Sequence, residues 1–136
     1  MREIKFRGMG INGEWYTGNL SIIKQRIKSM GIDPGSYISN KAGVPFAYKV
    51  RPETVGQFTG LKDANGREIY EGDHLFSKGN MDGIDYVGTV TYCENDAKYI
   101  LENLHGRLEW IPNNECWVKG NIYENPELLE ASHASK

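Results

Sequence analysis

Glu71-Gly72-Asp73-His74-Leu75, and after it Gly88-Thr89-Val90-Thr91-Tyr92, carry the pattern that decides the fold. A turn pair, Gly72-Asp73, stands ahead of an apolar strand, and a second strand then opens on glycine. This arrangement recurs in small SH3-like barrels. There the Gly-Asp pair turns the chain into the barrel, and the later glycine lets a strand bend sharply. Downstream, residues 86–93, 98–102, 107–111 and 115–123 read as further short strands, with Trp117 and Val118 the strongest β-formers of the last one. Short strands at this close spacing, from Asp73 to Tyr123, wrap into a small barrel, because a sheet left with open edges invites aggregation.

Working upstream, Asp63-Ala64-Asn65-Gly66 is a tight turn and Gly56-Gln57-Phe58-Thr59-Gly60 a strand. Pro52-Glu53-Thr54-Val55 reads as a single helical turn or an irregular connector. Residues 37–39 and 46–50 are short strands around the turn Asn40-Lys41-Ala42-Gly43. At the N-terminus Ile4 and Phe6 alternate with polar residues as a half-buried strand does. The segment Gly8-Met9-Gly10-Ile11-Asn12-Gly13 then turns the chain, with Asn12-Gly13 as the hairpin signal, and residues 14–20 return. Residues 20–30 are ambiguous. Leu20, Ile23, Ile27 and Met30 fall at helical intervals, whereas the β-branched Ile22 and Ile23 equally prolong the preceding strand. Gly79–Gly83 reads as a loop, Asn125–Glu130 as a short helix capped by Asn with Pro at its first position, and residues 131–136 as a frayed tail. The expected organisation is a mainly β protein: an N-terminal β-hairpin subdomain over 1–60, an SH3-like barrel with a short terminal helix over 61–130, and the tail.

Composition supports this class. The 136 residues suit one ordinary domain or two very small ones, and 39% apolar with 25% charged residues excludes both a disordered chain and a membrane protein. Sixteen glycines, with eight Tyr and three Trp, favour turns and strands over long helices. The formal charge of -2 predicts no nucleic-acid or membrane partner by itself, but its distribution is uneven. Up to Arg51 there are nine Lys/Arg against three Asp/Glu; beyond it, seven against fifteen, a split of +6 and -8. Neither part has the dense basic run that dominates phosphate binding, so the split favours docking of the two halves on each other, in one chain or between copies. The first residues lack the apolar core of a signal peptide, and no apolar run reaches the ~20 residues that cross a bilayer. A cytoplasmic location is the expectation.

A search for chemistry returns no catalytic residue, no metal site and no cofactor site. Cys93 and Cys116 form no CxxC and read as reduced thiols in or near a core. His74, His105 and His133 lie in unrelated segments, which gives no ligand spacing. The carboxylate pairs Asp82/Asp85, Glu94/Asp96 and Glu127/Glu130 have no nucleophile or His beside them and read as solvated faces. Gly8-Met9-Gly10 and Gly56–Gly60 precede no helix, so neither cradles phosphate, and no Gly-x-Ser-x-Gly element occurs. Tyr70, Tyr86, Tyr92, Tyr99, Trp110, Trp117 and Tyr123 have the shape of stacking platforms, yet aromatics in short strands are more often core. Trp15 and Tyr16 differ, because neighbours on a strand face opposite sides and one of them is then exposed. The candidate binding surface is accordingly Lys5, Arg7, Lys24, Arg26 and Lys28 with Trp15 or Tyr16.

Several blocks are specific enough to compare with a family. They are Arg2-Glu3-Ile4-Lys5-Phe6-Arg7; Glu14-Trp15-Tyr16-Thr17-Gly18; the run from Pro52 to Asp63; Asn65-Gly66; Glu68-Ile69-Tyr70-Glu71-Gly72-Asp73; and the run from Gly120 to Leu129. Together these resemble the YopX family, small proteins typical of bacteriophages and integrated prophages. The resemblance spans nearly the whole chain, with residues 20–34 and 77–85 as variable segments. It implies a β-rich fold with an SH3-like C-terminal part and no established enzymatic activity, so no catalytic residue carries over. Within the shared motifs the polar positions Glu53, Thr54, Gln57, Thr59, Lys62, Asp63, Glu71 and Asp73 are where a binding role would lie, although Glu53, Thr54 and Asp73 also suit turns. The expectation is a non-enzymatic, phage- or prophage-derived interaction protein that forms homo-oligomers and meets a phage or host protein. The alternative is a nucleic-acid-binding module using the basic N-terminal surface.

Overall fold

The computed structural model describes residues 3–39, 47–77, 86–103, 106–108, 110 and 116–125. Their regular structure consists of strands and one short 3-10 turn. The chain divides into two units, Met1–Phe58 and Thr59–Lys136.

The first unit is built from β1 (Phe6–Met9), β2 (Trp15–Ile23), β3 (Gly35–Ser39), β4 (Tyr48–Val50), the 3-10 turn Pro52–Thr54 and the start of β5 (Gly56–Lys62), with strand order β4-β3-β2-β1-β5. Ile4 does not join the first strand as the alternation predicted; it is 60% exposed and pairing begins at Phe6. The turn is also tighter than expected. Gly8 and Met9 belong to β1, and Gly10 N–H donates to Glu14 O at 2.9 Å to close the hairpin. Gly13 there takes φ +84°, a conformation that glycine adopts without Cβ strain. The ambiguous segment resolves as strand followed by turn. β2 continues to Ile23 because β3 offers it a ladder, from Asn19 opposite Ser39 to Ile23 opposite Gly35. Beyond it the chain reverses through a bridge between Ile27 and Ile32.

β1 changes partners along its second edge. Phe6 and Arg7 pair with β5, whereas Gly10 bridges Val50 and Arg51 N–H donates to Met9 O at 2.8 Å. Thr54 fills the gap: its Oγ1 accepts from Met9 N–H at 2.9 Å and donates to Arg51 O at 2.6 Å. The single helical turn at Pro52 thus supplies a hydrogen-bonding group that β1 otherwise lacks. Met9, Ile38, Val50 and Phe58 form the buried apolar centre of this unit.

The second unit contains the end of β5, β6 (Glu68–Tyr70), β7 (Asp73–Ser77), β8 (Tyr86–Cys93), β9 (Lys98–Asn103), β10 (Gly106–Leu108) and β11 (Cys116–Asn121). β7 to β11 form a sheet in the order β10-β9-β8-β7-β11, so the last strand returns beside the first, with a bulge between Val118 and Gly120. The core is Ile69, Leu75, Val90, Leu101, Trp110, Cys116 and Val118, with Tyr99 packed against it. The Gly72-Asp73 pair turns the chain into β7, as expected of a turn ahead of an apolar strand. Gly72 sits at φ +90°, and an added Cβ would stand 3.1 Å from the Tyr123 ring. Asp73 Oδ2 accepts from Tyr70 N–H at 2.8 Å, which ties the turn back to β6. At Gly88 a Cβ would lie 2.9 Å from Leu101 Cβ, so glycine lets β8 and β9 coil closely.

The mainly β class holds throughout the described residues. The expected turn at Asn40–Gly43, the loop Gly79–Gly83, the helix beyond Asn125 and the terminal tail lie outside them.

Candidate interaction surface

Of the residues proposed as a basic N-terminal surface, Arg7 is buried and Lys5 half-buried, whereas Lys24, Arg26 and Lys28 are exposed. In the β1–β2 ladder Arg7 faces Thr17 and Met9 faces Trp15, which makes Arg7 and Trp15 diagonal neighbours on one face. The Arg7 guanidinium lies 4.7 Å from the Trp15 ring centroid, and Arg7 is only 7% exposed. A cation in that position is engaged with its own sheet and is not offered to a partner. Lys5 is half-buried. Its Nζ is 3.5 Å from the Glu3 carboxylate and 5.2 Å from the Phe58 ring centroid.

Tyr16 stacks on Tyr48 with centroids 4.1 Å apart and planes 7° from parallel. Its hydroxyl accepts from Asn12 Nδ2 at 2.9 Å, while Asn12 Oδ1 accepts from Glu14 N–H at 3.0 Å. Gly10 makes room for this: a Cβ there would come within 2.9 Å of the Tyr16 ring. Gly10, Ile11, Asn12, Tyr16, Tyr48 and Lys49 line a shallow recess of about 240 Å³. That is below the roughly 300 Å³ at which small-molecule sites begin. Tyr48 and Ile11 were not found from sequence. Alternation along β4 groups Tyr48 with Val50, but that Tyr48 lies flat on Tyr16 follows from the bridge of Gly10 to Val50, a long-range pairing.

Lys24, Arg26 and Lys28 are brought together on the turn that joins β2 to β3, and all are exposed. Arg26 forms an ion pair with Asp33 across the turn, and Asp33 O also accepts from the Tyr37 hydroxyl at 2.7 Å. Beside the cations stand two exposed hydrophobes, Ile22 at 62% and Met30 at 70%. In β2 the inward parity runs Leu20, Ile22, and Leu20 faces the buried Ile38. Ile22 faces the small Ser36 and has lost its cover. The apolar stripe therefore continues off the end of the core into solvent.

The buried polar residues of the second unit serve the scaffold. Asp63 Oδ1 accepts from Asn65 N–H at 2.9 Å and Arg67 N–H at 2.8 Å, and its Oδ2 accepts from Val118 N–H at 3.0 Å. Burial alone would raise its pKa, but these backbone donors and the Arg67 charge outweigh it and hold the carboxyl below its ordinary 3.8. His74, 1% exposed, has Nε2 at 3.1 Å from Asn125 O and Nδ1 at 2.9 Å from Thr89 Oγ1. A carbonyl only accepts, so Nε2 carries the proton in that contact. Burial, then the charge of Asp63, pushes the Cys116 thiol up. Among the described residues no three His, Cys, Asp or Glu gather as metal ligands, and no helix there is long and apolar enough to cross a membrane. Of the aromatics read as core, Tyr70 and Trp110 are buried, whereas Tyr92 is 42% exposed and meets Tyr99 edge-on at 5.2 Å. Phe76 and Trp117 pack with centroids 5.9 Å apart, and Lys119 Nζ lies 5.8 Å from the Phe76 ring centroid.

Fold and surface together define a mainly β protein with a basic, partly apolar hairpin turn in its first unit. The chain belongs to the YopX family, whose model, described as YopX protein, matches residues 5–130. It is also similar to a solved structure titled the crystal structure of protein EF1440 from Enterococcus faecalis. That likeness has a TM-score of 0.54 at 23% identity over 95% of this chain and 99% of the other, and it shows the fold alone. No curated protein matches the chain.

Proposed function

We propose that this protein is a non-enzymatic interaction protein of phage or prophage origin that associates with copies of itself. The observation that carries the reading is the opposite formal charge of its two units. The first unit has nine Lys/Arg against four Asp/Glu, and the second has seven against fourteen. Among the described residues Lys24, Arg26, Lys28, Lys49 and Arg51 are exposed on the first beside Glu3, Glu14, Asp33 and Glu53, and Glu94, Asp96, Glu102 and Glu124 on the second beside Lys62, Arg67, Lys98, Arg107 and Lys119. Opposite net charge steers copies together. The non-enzymatic part is supported by the occupation of the buried polar groups: Asp63 and Asp73 hold backbone N–H groups, and His74 holds a backbone carbonyl.

The test is light scattering across a salt series. The expected result is an oligomer at low salt whose mass falls as salt rises; a monomer at low salt defeats the reading. Nucleic-acid binding is the second reading, favoured by one observation, the grouping of Lys24, Arg26 and Lys28 on one exposed turn. It predicts retention on a DNA column at ~50 mM salt, where phosphate contacts are strongest, and flow-through there removes it.

A further inference from the structure

We infer that the β2–β3 hairpin turn is the element through which one copy grips another, and that its seat is the acidic β8–β9 hairpin of the second copy. This rests on the self-association proposed above and names the surfaces involved.

Two features mark the turn. Ile22 and Met30 are large, apolar and mostly in water, so covering them removes apolar area from solvent. Lys24 and Lys28 lie between them in the chain, exposed, and neither has an ion-pair partner among the described residues. The occupant that fits is a surface that offers both acidic groups and an exposed aromatic ring. The second unit carries one. β8 runs to Cys93 and β9 begins at Lys98, and the turn between them exposes Glu94 and Asp96. Tyr92, at the end of β8, is 42% exposed. A methionine thioether or an isoleucine laid on that ring buries apolar area, and the two lysines then meet the two carboxylates. Each copy carries both the turn and the seat, so the contact is one between copies of this chain.

Charge reversal tests this without touching a core. One variant, K24E/K28E, makes the gripping turn acidic; another, E94K/D96K, makes the seat basic. Each alone sets like charge against like, and the expected result is a fall in mass to that of the monomer by light scattering at low salt. Mixed in equal amounts, or combined in one chain, the two variants restore opposite charges at the contact and recover the oligomer. I22S/M30S weakens the association while leaving its salt dependence in place. Circular dichroism matching the unsubstituted protein shows that each variant is folded. If that protein self-associates and none of these variants changes its mass, the inference fails and the broader reading stands. If it is a monomer at low salt, both fail. If K24E/K28E abolishes DNA retention and leaves the mass unchanged, the turn serves nucleic acid and the inference fails.

Discussion

Asp63 lies buried in the turn between β5 and β6, and both its oxygens accept backbone hydrogen bonds. An amide in its place keeps one acceptor but turns an NH₂ toward Val118 N–H, so donor meets donor. Asp63→Asn is expected to cost about 2–3 kcal/mol, the scale of losing a hydrogen bond to a charged acceptor and stranding a buried donor. Urea unfolding followed by tryptophan fluorescence measures it. The pH dependence has a definite sign. The folded pKa lies below the ordinary 3.8, so the carboxylate's contribution is complete above the unfolded value and is lost as pH falls through the folded one. The unsubstituted protein therefore loses its advantage over Asp63→Asn in that acidic window, and an advantage that persists below it would refute the assignment. Cys116 gives a second residue-level expectation. Its thiol is buried and pushed toward the protonated form, so a thiol-specific reagent at neutral pH labels it only after denaturant is added. The Asp63 turn was legible from Asp63-Ala64-Asn65-Gly66. Its bond to Val118, 55 positions away, was not, because a turn motif records local geometry and says nothing about which strand will later pass beside it.

At the scale of the element, β1 shows why small residues occur where they do. A Cβ on Gly8 would stand 2.8 Å from Val50 Cγ2, and Val50 is itself only 2% exposed. Gly8→Ala is expected to cost about 1–3 kcal/mol by overpacking a site that has no room to give. Gly13→Ala meets no atom within 4 Å and suffers only from its φ of +84°. Its cost is about 1–2 kcal/mol, that of a left-handed residue carrying a Cβ. Thermal melts of the two variants separate crowding from backbone strain, since truncating Val50 to Ala relieves only the first. Equal rescue of both would show that Gly8 is not held by contact. The segment 20–30 teaches the complementary lesson. Its apolar spacing fitted a helix as well as a strand, and the ladder to β3 decided between them by giving five residues of β2 a partner. Propensity is a weak prior that tertiary pairing overrides.

For the molecule as a whole, charge is the property that composition shows and geometry distributes. If self-association rests on the opposite charges, the oligomer mass should fall between ~0.1 M and ~1 M salt, as the Debye length shrinks from about 10 Å to about 3 Å. A mass that holds across that range would assign the contact to apolar burial, with Ile22 and Met30 as its source. By itself the amino-acid chain determined the mainly β class, the turns at Asn12-Gly13, Asp63–Gly66 and Gly72-Asp73, and the uneven charge, because these depend on neighbours a few residues apart or on simple counts. Tertiary structure alone decided that Arg7 covers Trp15, that Tyr48 lies on Tyr16, and that Lys24, Arg26 and Lys28 share an open turn. The reason is physical. Exposure and contact belong to pairs of residues brought together across the sheet, and an isolated strand pattern specifies which face a side chain takes but not what the fold sets against it.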